Sequence, residues 1–248
     1  MHNHAALKKK IAHLLLFDSY VKHARAIQYL TEAEYRDSSD KWNKNHYILS
    51  NGFSYPSNFK KSFSENGIHA IFIGRLDMYH KGLDELLKAI VECKGVLRAN
   101  MFHLDLYGPK RYDYYAIEEF IKQQEINDIV ELRGEISGKD KERAILEADL
   151  FVMSSRFEGH PMGLIEALAY GLPAMVTPGS NMAEEIEREQ CGWVCSKTES
   201  QKLKETLEQI CKETNVLLQM SKNARELAKQ YDWDVLAKKF HEIASQLI

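Results

Sequence analysis

The chain has 248 residues, with 33 Lys plus Arg against 36 Asp plus Glu, and its formal charge of −3 excludes a broadly basic nucleic-acid binder. Hydrophobic residues make up 44% and charged residues 28%, with only 13 Gly and 5 Pro, an ordinary globular mix that argues against wholesale disorder. The length suits one large domain, or one domain joined to part of another.

The start, Met1-His2-Asn3-His4, lacks the basic cap, apolar middle and small-residue cleavage site of a secretory signal, so a cytoplasmic location is expected. Residues 5–26 read as an amphipathic helix. Across residues 1–30, five cations (Lys8, Lys9, Lys10, Lys22, Arg25) face one carboxylate, Asp18, a local +4 that reads as a solvated face. Membrane contact would then be peripheral at most, at the inner face. The early apolar run, residues 14–17, is far short of the roughly 20 needed to span a bilayer. Thr31 followed by Glu34 makes a capping box, and Tyr47-Ile48-Leu49 leads into the Asn51-Gly52 turn. These pieces make too small a core to stand as a domain.

From Gly67 the pattern changes to short apolar runs alternating with helical periods, which predicts a parallel sheet covered by helices on both faces. Strands are expected over residues 68–73, 102–106, 129–132, 148–153 and 173–177. Helices are expected from Leu83 through Val91, then over residues 112–124, 139–147 and 162–170, the last closed by Gly171 before Pro173. Beyond Gly192-Trp193-Val194 the chain reads as helical from about Glu199 to its end. The four cysteines, Cys93, Cys191, Cys195 and Cys211, have no paired CxxC spacing and read as core fillers. If residues 191–195 are extended, Cys191 and Cys195 lie about 13 Å apart, beyond disulfide reach.

Three pieces fall just past predicted strands, where open parallel sheets place ligands. In the first, Gly74 permits close approach, and Arg75 with Lys81 brings two cations to one strand end, as a diphosphate requires. The second is the run from Ser154 through Glu166. There Pro161 suits a first helical turn, and the amides of Met162 and Gly163 would face an anion. Glu158 precedes that turn; Glu166, one turn in, can lean back toward the same ligand. Carboxylates repel phosphate but accept from hydroxyls, so cations and acids together suggest a nucleotide sugar. The third piece, Pro178 through Glu185, is a loop turning into a short helix beside the same cleft.

Together these pieces resemble the retaining nucleotide-sugar glycosyltransferases of family 4, which have the GT-B fold. The resemblance runs from about Gln28 to Lys239, through AIQYLTEAE, YILSNG, IFIGRLDMYHKGLDELLKAI, LDLYGP, VELRGEIS, ADLFVMSSRFEGHPMGLIEALAYGLPAMVT and YDWDVLAKKF. EGHPMGLIE carries the family's two glutamates, Glu158 and Glu166, with seven residues between them. The resemblance implies an α/β fold with a Rossmann-like sheet over residues 67–230. It makes residues 1–66 the remnant of an acceptor domain with its linker, and residues 231–248 a C-terminal return helix. The acceptor half is expected to be missing, leaving apolar surface on both flanking segments.

By the same resemblance, Arg75 and Lys81 would clamp the donor diphosphate beside Gly74, and Met162 and Gly163 would add amides. Glu166 would hold the ribose, and Glu158 would meet the transferred sugar. Gly159, His160 and Leu164 complete the motif, with His160 expected to pack rather than catalyse. Arg133 and Gly134 would supply a base-binding backbone edge. No metal or other cofactor is implied, the donor being UDP- or GDP-linked. Transfer would proceed with retention to an acceptor glycan or lipid-linked sugar, in polysaccharide, capsule or glycolipid synthesis. The implied partner is an acceptor-domain subunit or a second copy. The alternative is a non-catalytic donor-binding or interaction module; a sugar-nucleotide epimerase is disfavoured by the arrangement of EGHPMGLIE with GR and KG.

Overall fold

The computed structural model describes residues 17–38, 43–111 and 113–247. The chain divides into two compact units, Phe53–Asp232 and a smaller one made of Met1–Gly52 with Trp233–Ile248. The smaller unit contains helix α1 (Asp18–His23), strand β1 (Ile27–Tyr29), helix α2 (Glu32–Asp37) and strand β2 (His46–Ile48). β1 and β2 pair in parallel, Ile27 opposite His46. The Asn43 amide ties down the end of α1 by donating to the carbonyls of Val21 and Ala24. Thr31 caps α2 by accepting from the Glu34 amide at 3.0 Å, as its position predicts. The Glu34 carboxylate, however, takes the amide of Leu30 rather than that of the cap residue. Of the helix expected over residues 5–26, residues 5–16 lie outside the described residues; the described part is helical over Asp18–His23 and gives way to β1.

The larger unit follows as β3 (Ile68–Ile73), α3 (Leu83–Ala99), β4 (Phe102–Tyr107), α4 (Tyr114–Gln123), β5 (Val130–Gly134), α5 (Gly138–Glu147), β6 (Leu150–Met153), α6 (Met162–Ala169), β7 (Ala174–Val176), α7 (Ala183–Arg188), β8 (Gly192–Val194), α8 (Ser200–Lys212) and α9 (Leu217–Ala228). All six strands are parallel, in the order β5-β4-β3-β6-β7-β8. This is the doubly wound, Rossmann-like arrangement, whose winding reverses between β3 and β6. The sequence pattern predicts five of these strands. The sixth, β8, is only three residues long and begins with glycine, too short for a periodic signal. The helical tail is interrupted at 213–216 and 229–232, so it forms α8, α9 and then α10 (Trp233–Leu247), which belongs to the smaller unit and exposes Trp233, Val235 and Phe240.

Alternation along the strands sorts the core into two faces. Ala70 and Phe72 of β3 pack with Leu86, Leu87 and Ile90 of α3, Ile117 of α4, and Leu203 and Leu207 of α8. Ile71 turns the other way, into a cluster with Phe151 and with residues of α6, α7 and α9. The four cysteines are buried among these residues. Burial pushes their thiols up, to about 12 for Cys93 and Cys191 and to about 11 for Cys195 and Cys211, so they stay protonated and inert.

The approach to β3 is stapled by one buried ion pair. Lys60 places its ammonium 3.1 Å from Asp149, and both side chains are almost wholly buried. The Asp149 carboxylate also accepts from the amides of Ser64 and His69, each at 3.1 Å, while Lys60 donates to the Leu146 carbonyl. Both carboxylate oxygens thus have hydrogen-bond partners, which a buried charge demands. Replacing Asp149 by Ala would leave Lys60 uncompensated and two amides unpaired. Urea denaturation of Asp149→Ala should show a loss of about 3–5 kcal/mol, whereas Lys60→Met, which removes the buried cation, should cost less.

Candidate functional site

The reversal of winding leaves a crevice beyond the carboxyl ends of β3 and β6. Two loops meet there. The one after β3 runs through Gly74, Arg75 and Lys81 into α3; the one after β6 runs through Ser154 and Glu158 into α6. They are fastened at several points. Ser154 Oγ donates to the Lys81 carbonyl at 2.9 Å, and the Arg156 amide donates to the His80 carbonyl at 2.9 Å. Arg156 also forks onto Asp84, at 2.6 and 3.0 Å, and stacks over the Tyr79 ring. Gly82 sits between them with φ +62, and a Cβ there would overlap the Ser154 carbonyl oxygen. Only glycine combines that left-handed backbone with so close an approach.

Lys81 is the residue that this fastening aims. Its chain passes over Gly74, and its ammonium reaches Glu158 Oε1 at 2.5 Å, with both side chains largely shielded. Ser155 Oγ donates to the same carboxylate oxygen at 2.6 Å. Two groups that the sequence assigns to different parts of one ligand are therefore in contact. Arg75 lies exposed at the same strand end. Near it, Asp77 is held below the usual carboxylate range: partial burial opposes this, but the backbone and ring N–H groups of His80, with Arg75 nearby, outweigh it.

The start of α6 lies over the end of β3, since a Cβ on Gly163 would stand 3.6 Å from the Ile73 carbonyl oxygen. The expected pair of free amides is reduced by one. Met162 donates to the His160 carbonyl at 2.9 Å, and Leu164 and Ile165 donate to that of Pro161, which leaves Gly163 as the candidate donor of the pair. Leu164 is fully buried and serves the core. His160 packs edge-on against Tyr231 and touches the Met162 sulfur. The space beside Gly159 is open. Glu166, one turn into α6, receives the Lys141 ammonium of α5 at 2.6 Å. Gly134 has φ +80, accepts from the Gly108 amide and faces open space, whereas the Arg133 side chain is turned onto Asp105.

Three contributors escape sequence reading. Lys141 carries no motif and is recognised only once α5 lies beside α6. Ser155 falls within the second piece, but its bond to Glu158 is not visible in the residue order. Asn181 belongs to the third piece: its side-chain amide donates to the carbonyls of Glu158 and Gly159, which fixes the loop carrying the first glutamate. Beside it, Gly179 packs directly under the Arg156 carbonyl.

Comparison with known proteins bears on this geometry. The profile of the family described as "Glycosyl transferases group 1" matches residues 55–227. Among curated relatives, the chain is 24% identical over 177 residues to the N,N'-diacetylbacillosaminyl-diphospho-undecaprenol alpha-1,3-N-acetylgalactosaminyltransferase of Campylobacter jejuni, covering 69% of this chain and 43% of that protein. It is 33% identical over 89 residues to the amylovoran biosynthesis glycosyltransferase AmsK of Erwinia amylovora, covering 34% of this chain and 22% of that one. The chain thus spans less than half the length of the curated relatives it matches. Among solved structures, Anabaena HepE in complex with UDP-glucose superposes with a TM-score of 0.74 at 19% identity, covering 93% of this chain and 66% of that one, a likeness of fold.

The fastening of the two loops is directly testable. Gly82→Ala forces a left-handed alanine against the Ser154 carbonyl and should cost about 2–4 kcal/mol. Urea midpoints would give the stability loss, and amide chemical-shift changes should spread to Ser154, Ser155 and Glu158.

Proposed function

The chain belongs to the glycosyl transferases group 1 family, and from that premise we propose that it is the donor-binding half of a retaining glycosyltransferase acting in polysaccharide or glycolipid synthesis. The observation that carries this reading is the contact of Lys81 with Glu158 at the reversal point between β3 and β6, where the start of α6 at Gly163 lies over the end of β3. Lys81 and Arg75 are the cations for a donor diphosphate, and Gly163 adds a helix-terminal amide. Glu166 is placed for ribose hydroxyls and Glu158 for the transferred sugar. The open backbone at Gly134 is the edge for the base.

Departure of a nucleoside diphosphate leaves its charge on the leaving oxygens. Fixed cations and an oriented amide stabilise that charge without reorganising, which lowers the barrier to loss of the sugar. An acceptor hydroxyl attacking from the face that the diphosphate leaves gives retention. Before a donor enters, Lys81 is neutralised by Glu158. A diphosphate competing for the ammonium frees Glu158 to accept from the sugar, so donor binding itself would arm the carboxylate. No step of this sequence calls on a metal or cofactor.

A UDP- or GDP-linked sugar is the donor class, and the uridine form is the first to test because HepE was solved with UDP-glucose. The acceptor, a glycan or lipid-linked sugar, would be held largely by an acceptor domain supplied by another chain or a second copy. No described helix is long and apolar enough to cross a membrane.

Calorimetric titration with UDP-glucose, UDP-N-acetylglucosamine and GDP-mannose should show saturable binding of at least one, weakened tenfold or more, about 1.4 kcal/mol, by Arg75→Ala with Lys81→Ala. Absence of binding to every common donor would refute the reading. Binding that survives the double change would favour an interaction module instead.

A further inference from the structure

A second cluster lies on one face of β3, β4 and β5 and takes in the side chain of Arg133, whose backbone neighbour Gly134 is the edge considered above. Parallel register sets His69 directly opposite His103, and Asp105 opposite Glu131. A register shift after Leu106 adds Arg133 to the same face. Parallel sheets are normally covered by apolar residues on both sides, yet here the face is polar and half open. The side chains of His103, Arg133 and Glu131 are 31%, 42% and 46% exposed, whereas that of Asp105 is only 3% exposed. Two imidazoles and a guanidinium converge on the buried carboxylate. His69 Nε2 lies 2.9 Å from one oxygen, and His103 Nε2 and Arg133 Nε lie 3.0 and 2.8 Å from the other. Although burial opposes it, these partners hold Asp105 far below the usual carboxylate range.

We infer that His103, Asp105 and Glu131 form a binding site for a divalent transition-metal ion of the zinc class, with Arg133 as the group the ion displaces. One ligand atom from each of the three lies within 4.8 Å of the others. In tetrahedral zinc sites, bonds of about 2.0–2.1 Å put neighbouring ligand atoms about 3.3 Å apart. The observed separations from His103 Nε2, 3.0 Å to Asp105 and 3.9 Å to Glu131, bracket that value. His103 is also oriented as a ligand. Without an ion, Nε2 donates to Asp105 at 3.0 Å and Nδ1 faces the Asp128 carbonyl at 3.4 Å; an ion would displace the Nε2 proton, while the Asp128 carbonyl holds the proton on Nδ1. His69 braces Asp105 from the far oxygen, the outer support that ligating carboxylates commonly have. A water completes the fourth position.

Arg133 bridges the two carboxylates with one positive charge, Nε to Asp105 and a terminal nitrogen to Glu131 at 2.8 Å. An ion carrying two charges replaces it, and the exposed guanidinium can swing into water. Imidazole among the ligands selects transition metals over calcium or magnesium.

Metal-free protein, carrying His2→Ala and His4→Ala to remove the near-terminal histidines, would be titrated near neutral pH with zinc by calorimetry and with cobalt by visible absorption. One equivalent should bind, the cobalt form showing the intense visible bands of a four-coordinate ion. His103→Ala and Glu131→Gln, the latter on the exposed rim and checked for folding by circular dichroism, should each weaken binding tenfold or more. Arg133→Gln should tighten it by about tenfold. The inference is overturned if the unsubstituted cluster shows no saturable binding, if His103→Ala and Glu131→Gln bind as before, or if binding appears only in Arg133→Gln. The cluster would then be a closed ion-pair network.

Discussion

The packing of the Gly82 backbone against the Ser154 carbonyl is the contact on which the crevice depends. It lets the loop after β3 lie flat on the loop after β6, and the neighbouring bonds, Ser154 to Lys81 and Arg156 to His80 and Asp84, hold only at that separation. Lys81 emerges from the fastened segment already aimed at Glu158. A lysine on an independent surface loop would have four freely turning carbons; here the loop beneath it cannot move without breaking a bidentate ion pair. Asn181 performs the corresponding service for the Glu158 loop. The rigidity of the site therefore belongs to backbone contacts between loops more than to the charged groups that would meet a ligand.

Charge is arranged in the same spirit. Lys81 with Glu158, and Lys141 with Glu166, are pairs in which each cation neutralises a carboxylate that has its own proposed partner in a nucleotide sugar. A crevice lined by unpaired charges of either sign would be costly to hold together. Pairing them keeps the fold stable and leaves both members able to exchange partners.

Sequence periodicity was enough to locate β3, β4, β5, β6 and β7 and the helices between them, because each strand is a short apolar-rich run set between helical periods. The run EGHPMGLIE made the second loop legible through its residue types. What could not be read was whatever depends on register or on contact between distant segments. β8 is too short to have a period. Lys141 meets Glu166 only through the placement of α5. His69, His103, Asp105 and Glu131 come from three strands, and nothing in the linear order tells that their side chains share a face. The engagement of the Met162 amide by His160 is a matter of local backbone angles that residue types leave undetermined. Residues 1–66 were harder still, since short elements there lack a continuous apolar face.

The strand order has a consequence for how the molecule comes into being. Lys81 and Ser154 are 73 residues apart, and between them the chain must lay down β4 and β5 on one flank before β6 returns to the other side of β3. Closing such a long loop is entropically slow, and nothing local rewards the first half for waiting. A nascent chain ending before β6 would have a three-stranded sheet with one apolar edge bare, a surface prone to sticking. Emergence of the segment through α6 from the ribosome would cover that edge and create the crevice in a single event, passing the bare edge on to β6 until β7 and β8 follow.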